Sequence, residues 1–124
     1  MLVKKILNFW KYINDAEFEQ LTKIMVENSI VILPNTREIF KGRNNYIVFN
    51  KEYPGRWYAR VEKIVAFENQ VISVVEITNT EGVSLYVTSF FIFEDNMIKE
   101  ITEYWGENGE APEWRINKGF SEKY

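Results

Sequence analysis

The sequence predicts an α+β protein: a cone-shaped, curved antiparallel meander packed on two to three N-terminal helices. Three observations carry that prediction. Apolar residues near the N-terminus recur at gaps of three and four, the helical spacing. After Gly55 come segments rich in Val, Ile, Thr, Tyr, Phe and Trp, separated by turn-forming residues. Neither Gly nor Pro interrupts those segments, as strand interiors require.

Leu2, Ile6, Phe9 and Ile13, beside Val3, Leu7 and Trp10, predict an amphipathic helix over residues 2–13. Asn14, with Glu17 three residues on, reads as the N-cap of a second helix. The apolar face of that helix is Phe18, Leu21, Ile24 and Met25. Residues 29–33 predict a short strand that Pro34 and Asn35 close, and residues 39–41 a second one ended by Gly42. Tyr46, Ile47, Phe49 and Tyr53 predict a third helix over 43–53, stopped by Pro54-Gly55. The meander comes next, as strands 57–67, 71–78, 84–93 and 97–105. In 84–93, one face reads Leu85, Val87, Ser89, Phe91, Phe93 and the other Tyr86, Thr88, Phe90, Ile92. Both faces are mostly apolar, so both are expected to be covered, one by helices and the other by a second subunit. The expectation is therefore a single domain over 1–124, homodimeric through the outer sheet face, with a tail over 106–124.

Composition removes whole classes of chemistry. The chain has 124 residues with no histidine and no cysteine, so His-Cys zinc sites, thiol nucleophiles, disulfides and histidine bases are excluded. Twenty aromatics, from 9 Phe, 7 Tyr and 4 Trp, mark a packed globular chain. With 15 basic and 18 acidic residues the net charge is −3, which argues against nucleic acid or an anionic membrane as partner. Apolar runs stop at four residues, far short of a membrane span. Lys4 and Lys5 resemble the start of a signal peptide, but Asn8, Lys11 and Asn14 break the apolar stretch beyond them, so a cytoplasmic location is expected. No EF-hand loop, phosphate cradle or dinucleotide fingerprint is present; neither metal nor cofactor is expected. Residues 37–63 carry seven bases and three acids, whereas 94–113 carry seven acids against Lys99 alone. This segregation is read either as an interface where the two segments meet or as separate solvated faces.

At this point the chain resembles the SnoaL-like branch of the nuclear-transport-factor-2-like superfamily. The matching residues are Asn14-Asp15-Ala16-Glu17-Phe18 between the helices, Ile30-Val31-Ile32-Leu33-Pro34 in the first strand, and Gly42 before the third helix. The closing strand–turn–strand, Phe91 through Glu94-Asp95-Asn96 to Tyr104-Trp105, matches as well. The tail Glu110-Ala111-Pro112-Glu113-Trp114-Arg115 is similar to the ending of a group of small bacterial members without an assigned activity. The resemblance implies the cystatin-like or SnoaL-like cone, with a cavity between helices and sheet. It does not choose a function, since this fold hosts isomerases, cyclases, hydrolases and binders.

Carrying the family's chemistries over residue by residue removes most of them. The ketosteroid isomerase pattern needs a Tyr in helix one, an Asp before the Pro of strand one and a protonated Asp on the penultimate strand. Those positions hold Phe9, Leu33 and Ser89. The limonene-epoxide hydrolase pattern implies Glu103, beside Tyr104-Trp105, as one acid and Glu76 as the other, but its Arg is missing: none lies between Arg60 and Arg115. SnoaL-type cyclases imply an acid beside a His, so Glu62, Glu76 or Glu103 would act alone. Glu103 is therefore the candidate acid/base, with Glu76 or Ser89 orienting a substrate. An ion pair of Glu103 with Arg60 or Lys63 is the structural alternative. Trp10, Tyr46, Trp57, Tyr86 and Trp105 are expected to line the cone around a small apolar or aromatic ligand. Trp114 and Arg115 are expected to pack on the dimer surface or to close over the cavity. A purely interacting module, with its cone filled, is the third reading.

Overall fold

The structure, a computed structural model, describes residues 1–124. Helix α1 (Leu2–Asn14) leads through a 3-10 turn (Phe18–Lys23) into strand β1 (Met25–Leu33), followed by β2 (Glu38–Lys41) and α2 (Arg43–Glu52). Strands β3 (Trp57–Phe67), β4 (Gln70–Asn79), β5 (Ser84–Glu94) and β6 (Met97–Glu107) form the meander, and a short helix α3 (Glu113–Asn117) lies in the tail.

The six strands make one open, curved sheet in the order β2-β1-β6-β5-β4-β3. All neighbours are antiparallel, the expected meander β3–β6 included, except β1 and β6, which run parallel and make the sheet as a whole mixed. The parallel pair exists because β1 lies beside the last strand of the meander, with all of β2 to β5 between them in sequence. Register shifts between Val61 and Lys63 and between Ile92 and Phe93 bend the long strands. Helix α1 crosses β3 and β4, and α2 packs against β1, β2 and the 3-10 turn. Both helices therefore sit on one face of the sheet, the concave one. Ile6, Phe9, Leu21, Met25, Val71, Val75, Phe91, Ile98 and Ile101 are fully buried between them and the sheet.

The second helix predicted from Asn14 is absent. Asn14 ends α1, and its side-chain amide clasps the backbone of Ala59 in β3: Nδ2 donates to the Ala59 carbonyl and the Ala59 N–H donates to Oδ1, each at 2.6 Å. Phe18, Leu21 and Ile24 recur every three residues, which is the 3-10 period, and only a single 3-10 segment forms. Met25, expected on the helix, instead opens β1, held by the Ile98 N–H bonded to the Ile24 carbonyl. Asn35 is a second clasp: it exchanges two bonds with the backbone of Trp105, extending the β1–β6 pairing past the end of β1. No ion pair joins the basic 37–63 segment to the acidic 94–113 segment; Arg60 pairs with Glu62 and Glu76, and Lys99 with Glu94. Asn108 ties the start of the tail to Glu76 and Ser84, and Trp114 and Arg115 do not line the cavity. Trp114 is 62% exposed and touches Phe120 edge-on. No helix is long and apolar enough to cross a membrane.

Candidate functional site

Between the helices and the concave face lies a cavity of about 540 Å³, lined by 24 residues of which 16 are hydrophobic. In β4, β5 and β6 the odd-numbered residues face it, since Ile77, Leu85, Val87, Glu103 and Trp105 all line the wall. The buried lining residues Trp10, Leu33, Tyr46, Ala59, Val87 and Glu103 form its inner end; exposed ones such as Glu38, Lys51, Tyr53 and Glu107 form its rim.

Glu103 is the only charged residue in the buried set, at 8% exposure. Its carboxyl meets no cation. The Tyr46 hydroxyl donates to one oxygen at 3.2 Å and the Ser89 hydroxyl to the other at 3.0 Å. Ser89 is the register partner of Glu103 on β5, and α2 delivers Tyr46 from across the cavity. The expected alternative, an ion pair with Arg60 or Lys63, is thereby corrected: Arg60 belongs to the outer face, where it serves Glu62 and Glu76. Burial pushes the Glu103 carboxyl above its ordinary 4.5, and the two hydroxyl donors partly hold it back. Burial together with the facing carboxylate lifts the Tyr46 phenol well above its ordinary 10.0, so Tyr46 stays a donor.

Aromatic rings make up much of the wall. Phe9 stacks on Tyr46 at 6.5 Å, Tyr46 on Phe49 at 6.2 Å, Phe49 meets Tyr53 at 5.4 Å, and Tyr53 meets Trp57 at 5.9 Å. Trp10 donates its indole N–H to Ser73 at 3.0 Å, and Trp57 donates its own to the Pro54 carbonyl at 2.8 Å. Arg56 lays its guanidinium over the Tyr58 ring at 4.4 Å and donates to the carbonyls of Asn14 and Trp57. No three carboxylates converge as a metal site would need.

The structure thus brings Glu103, Trp10, Tyr46, Trp57 and Trp105 to one cavity, with Ser89 directly behind Glu103. It does not bring Glu76 there. Glu76 is even-numbered on β4, faces the outer side, and pairs with Arg60 at 2.6 Å and with the Asn108 amide at 3.1 Å. Tyr86, its register partner, is likewise on the outer face and 40% exposed rather than lining the cone. Phe9 and Leu33, which hold the isomerase positions, lie in the core, Leu33 at the cavity wall. Sequence reasoning did not single out Phe49, Tyr53 and Arg56 as site residues. The first two were already legible as the apolar face of the third helix.

A curled sheet wrapped on N-terminal helices, with a cavity between them, defines the class of α+β cone proteins. The sequence matches no protein-family model and no curated protein. Solved structures do match. A protein of Kribbella flavida provisionally assigned as a ketosteroid isomerase is 27% identical over 99% of this chain and 87% of its own, with a TM-score of 0.84. An NTF-2-like protein of unknown function from Burkholderia xenovorans is 23% identical over 99% of this chain and 95% of its own, at 0.82. A protein of Jannaschia provisionally assigned as a SnoaL-like polyketide cyclase is 16% identical over 84% of each chain, at 0.74. In fold, the chain is similar to SnoaL-like and nuclear-transport-factor-2-like proteins.

Proposed function

We propose that the cone is a small-molecule site for a largely apolar ligand, with Glu103 as its polar anchor. The observation that carries this is a buried carboxyl without a cation, held by Tyr46 and Ser89 at the inner end of an aromatic cavity. A cavity of this volume suits a ligand of one to three rings. The test is titration with small aromatic compounds, followed by the fluorescence of Trp10, Trp57 and Trp105. Leu85→Trp, which fills the wall between β4 and β6, should abolish binding while circular dichroism stays unchanged. Full binding by that variant refutes the site.

A second reading is acid/base catalysis by Glu103. Burial raises its affinity for a proton toward the neutral range, the condition for proton transfer to or from a bound substrate. Ser89 and Tyr46 would orient the carboxyl, and Glu76 has no part because it faces away. Loss of turnover in Glu103→Gln, with ligand affinity retained, separates this reading from pure binding. We further infer that a second copy covers the convex face, where Val65, Phe67, Tyr86 and Tyr104 are exposed beside Ile72, Val74, Phe90 and Ile92. Light scattering that shows a monomer at high micromolar concentration refutes the dimer.

A further inference from the structure

We infer that the ligand of the cone is a small hydrophobic amine, bound as its ammonium ion against Glu103 and the surrounding rings. The inference rests on the reading of the cavity as a small-molecule site and names the ligand's class.

Four features of the cavity converge on it. Glu103 carries a buried negative charge whose only partners are two hydroxyls, so the positive partner that a buried carboxylate ordinarily has is missing from the protein itself. Second, both cations on the cavity wall are already committed. Lys51 pairs with Glu19, and Arg56 is shared between two backbone carbonyls and the Tyr58 ring. Third, the rim adds two more carboxyls, Glu38 and Glu107, neither of which is in an ion pair. Fourth, Trp10 and Trp57 have spent their N–H groups on Ser73 and Pro54, so what remains to a guest from either ring is its π surface. A carboxylate among aromatic rings attracts an organic cation twice, by charge and by the ring quadrupoles. The Arg56–Tyr58 pair shows that a ring of this wall accepts a cation.

The alternatives fit less well. An anionic guest would meet Glu103 and the rim carboxyls with like charge. A neutral guest would leave the Glu103 charge buried and uncompensated. An ammonium ion removes that cost. In binding, the ligand nitrogen keeps its proton and faces the Glu103 carboxylate, so no covalent bond forms or breaks between protein and ligand. Glu103 is faced by Tyr46 from α2 and Ser89 from β5. The other titratable groups on the wall are Glu38, Glu107, Lys51 and Arg56, with the phenols of Tyr53 and Tyr58.

The experiment compares naphthylmethylamine, naphthylmethanol and naphthoic acid, three probes of one shape and different charge, by calorimetry on the whole chain. The amine is expected to bind on the order of tenfold or more tighter than the alcohol near neutral pH. Its advantage should be lost in acid, where Glu103 takes up its proton. In Glu103→Gln the amine-to-alcohol ratio should fall to about one. The wild-type comparison needs no variant, so the inference stays open to refutation if Glu103→Gln does not fold. Equal or tighter binding of the alcohol or the acid overturns the amine class and leaves the small-molecule site standing. Binding of none of the three overturns both.

Discussion

Replacing Glu103 by Gln tests the electrostatics of the cavity without changing its shape. Gln keeps an oxygen to accept from Tyr46, and its amide donates to Ser89, so both contacts at 3.2 and 3.0 Å have a replacement. What disappears is the titration. The sign comes from the raised folded-state value. Below about the ordinary 4.5, folded and unfolded chains both hold the proton, and burial of the acid costs nothing ionic. As pH rises, the unfolded chain ionises first while the folded one holds its proton, so wild-type stability falls. The slope reaches at most about 1.4 kcal/mol per pH unit, one proton's worth, and flattens once the folded carboxyl also ionises. Glu103→Gln is exempt from this loss, so its stability relative to wild type climbs with pH and then levels off. Urea unfolding of both proteins across the acid-to-neutral range reads the gap directly. A gap that stays constant refutes the raised value. A gap that moves against Gln with rising pH means that the folded protein stabilises the carboxylate, and the claim of an unpaired buried charge fails with it.

Neighbouring residues give three further outcomes. Tyr46→Phe and Ser89→Ala each remove one donor to the carboxyl; each should cost about 1.5–3 kcal/mol once Glu103 is ionised and less in acid, checked by the same unfolding series. Asn14→Ala breaks both bonds to Ala59 and should destabilise by about 1–3 kcal/mol, with faster hydrogen exchange at the Ala59 amide. Gly55→Ala places a side chain at φ +87° and its Cβ 3.3 Å from the Trp57 indole nitrogen; a loss of about 1–2 kcal/mol and a shift in Trp57 emission are expected.

The strands of the meander were legible because each carries a dense β-branched and aromatic run bounded by turn residues, and every one lies within two residues of its predicted ends. Asn14 was misread for a physical reason. An amide that caps a nearby helix and an amide that clasps a strand 45 residues away in sequence present the same local pattern, and only tertiary packing distinguishes them. The facing of Glu76 was illegible for another reason. In strands with two apolar faces, alternation groups residues by parity without saying which parity points inward. Glu103 entered as a candidate through the resemblance, by its place beside Tyr104-Trp105. That its partners are hydroxyls rather than a cation depends on cross-strand register, which local sequence does not encode.

Register also explains why the polar groups of the cavity sit where they do. Ser73, Ser89 and Glu103 are successive register partners across β4, β5 and β6, a single buried polar row on an inner face otherwise made of Val71, Val75, Val87, Phe91 and Ile101. Each end of that row takes one hydrogen bond from a helix: Trp10 of α1 donates to Ser73, and Tyr46 of α2 donates to Glu103. Apolar packing alone tolerates sliding of a helix over a sheet, whereas these two bonds fix a particular position for each helix. A one-residue slip of β6 would carry Glu103 to the convex face and bring Thr102 or Tyr104 inward, leaving the Tyr46 and Ser89 hydroxyls without their acceptor. The row therefore sets the width of the cavity as well as its chemistry. A residue kept for charge alone would not need Ser73 and Trp10 at the far end of the row, and a residue kept for register alone would not need to be an acid.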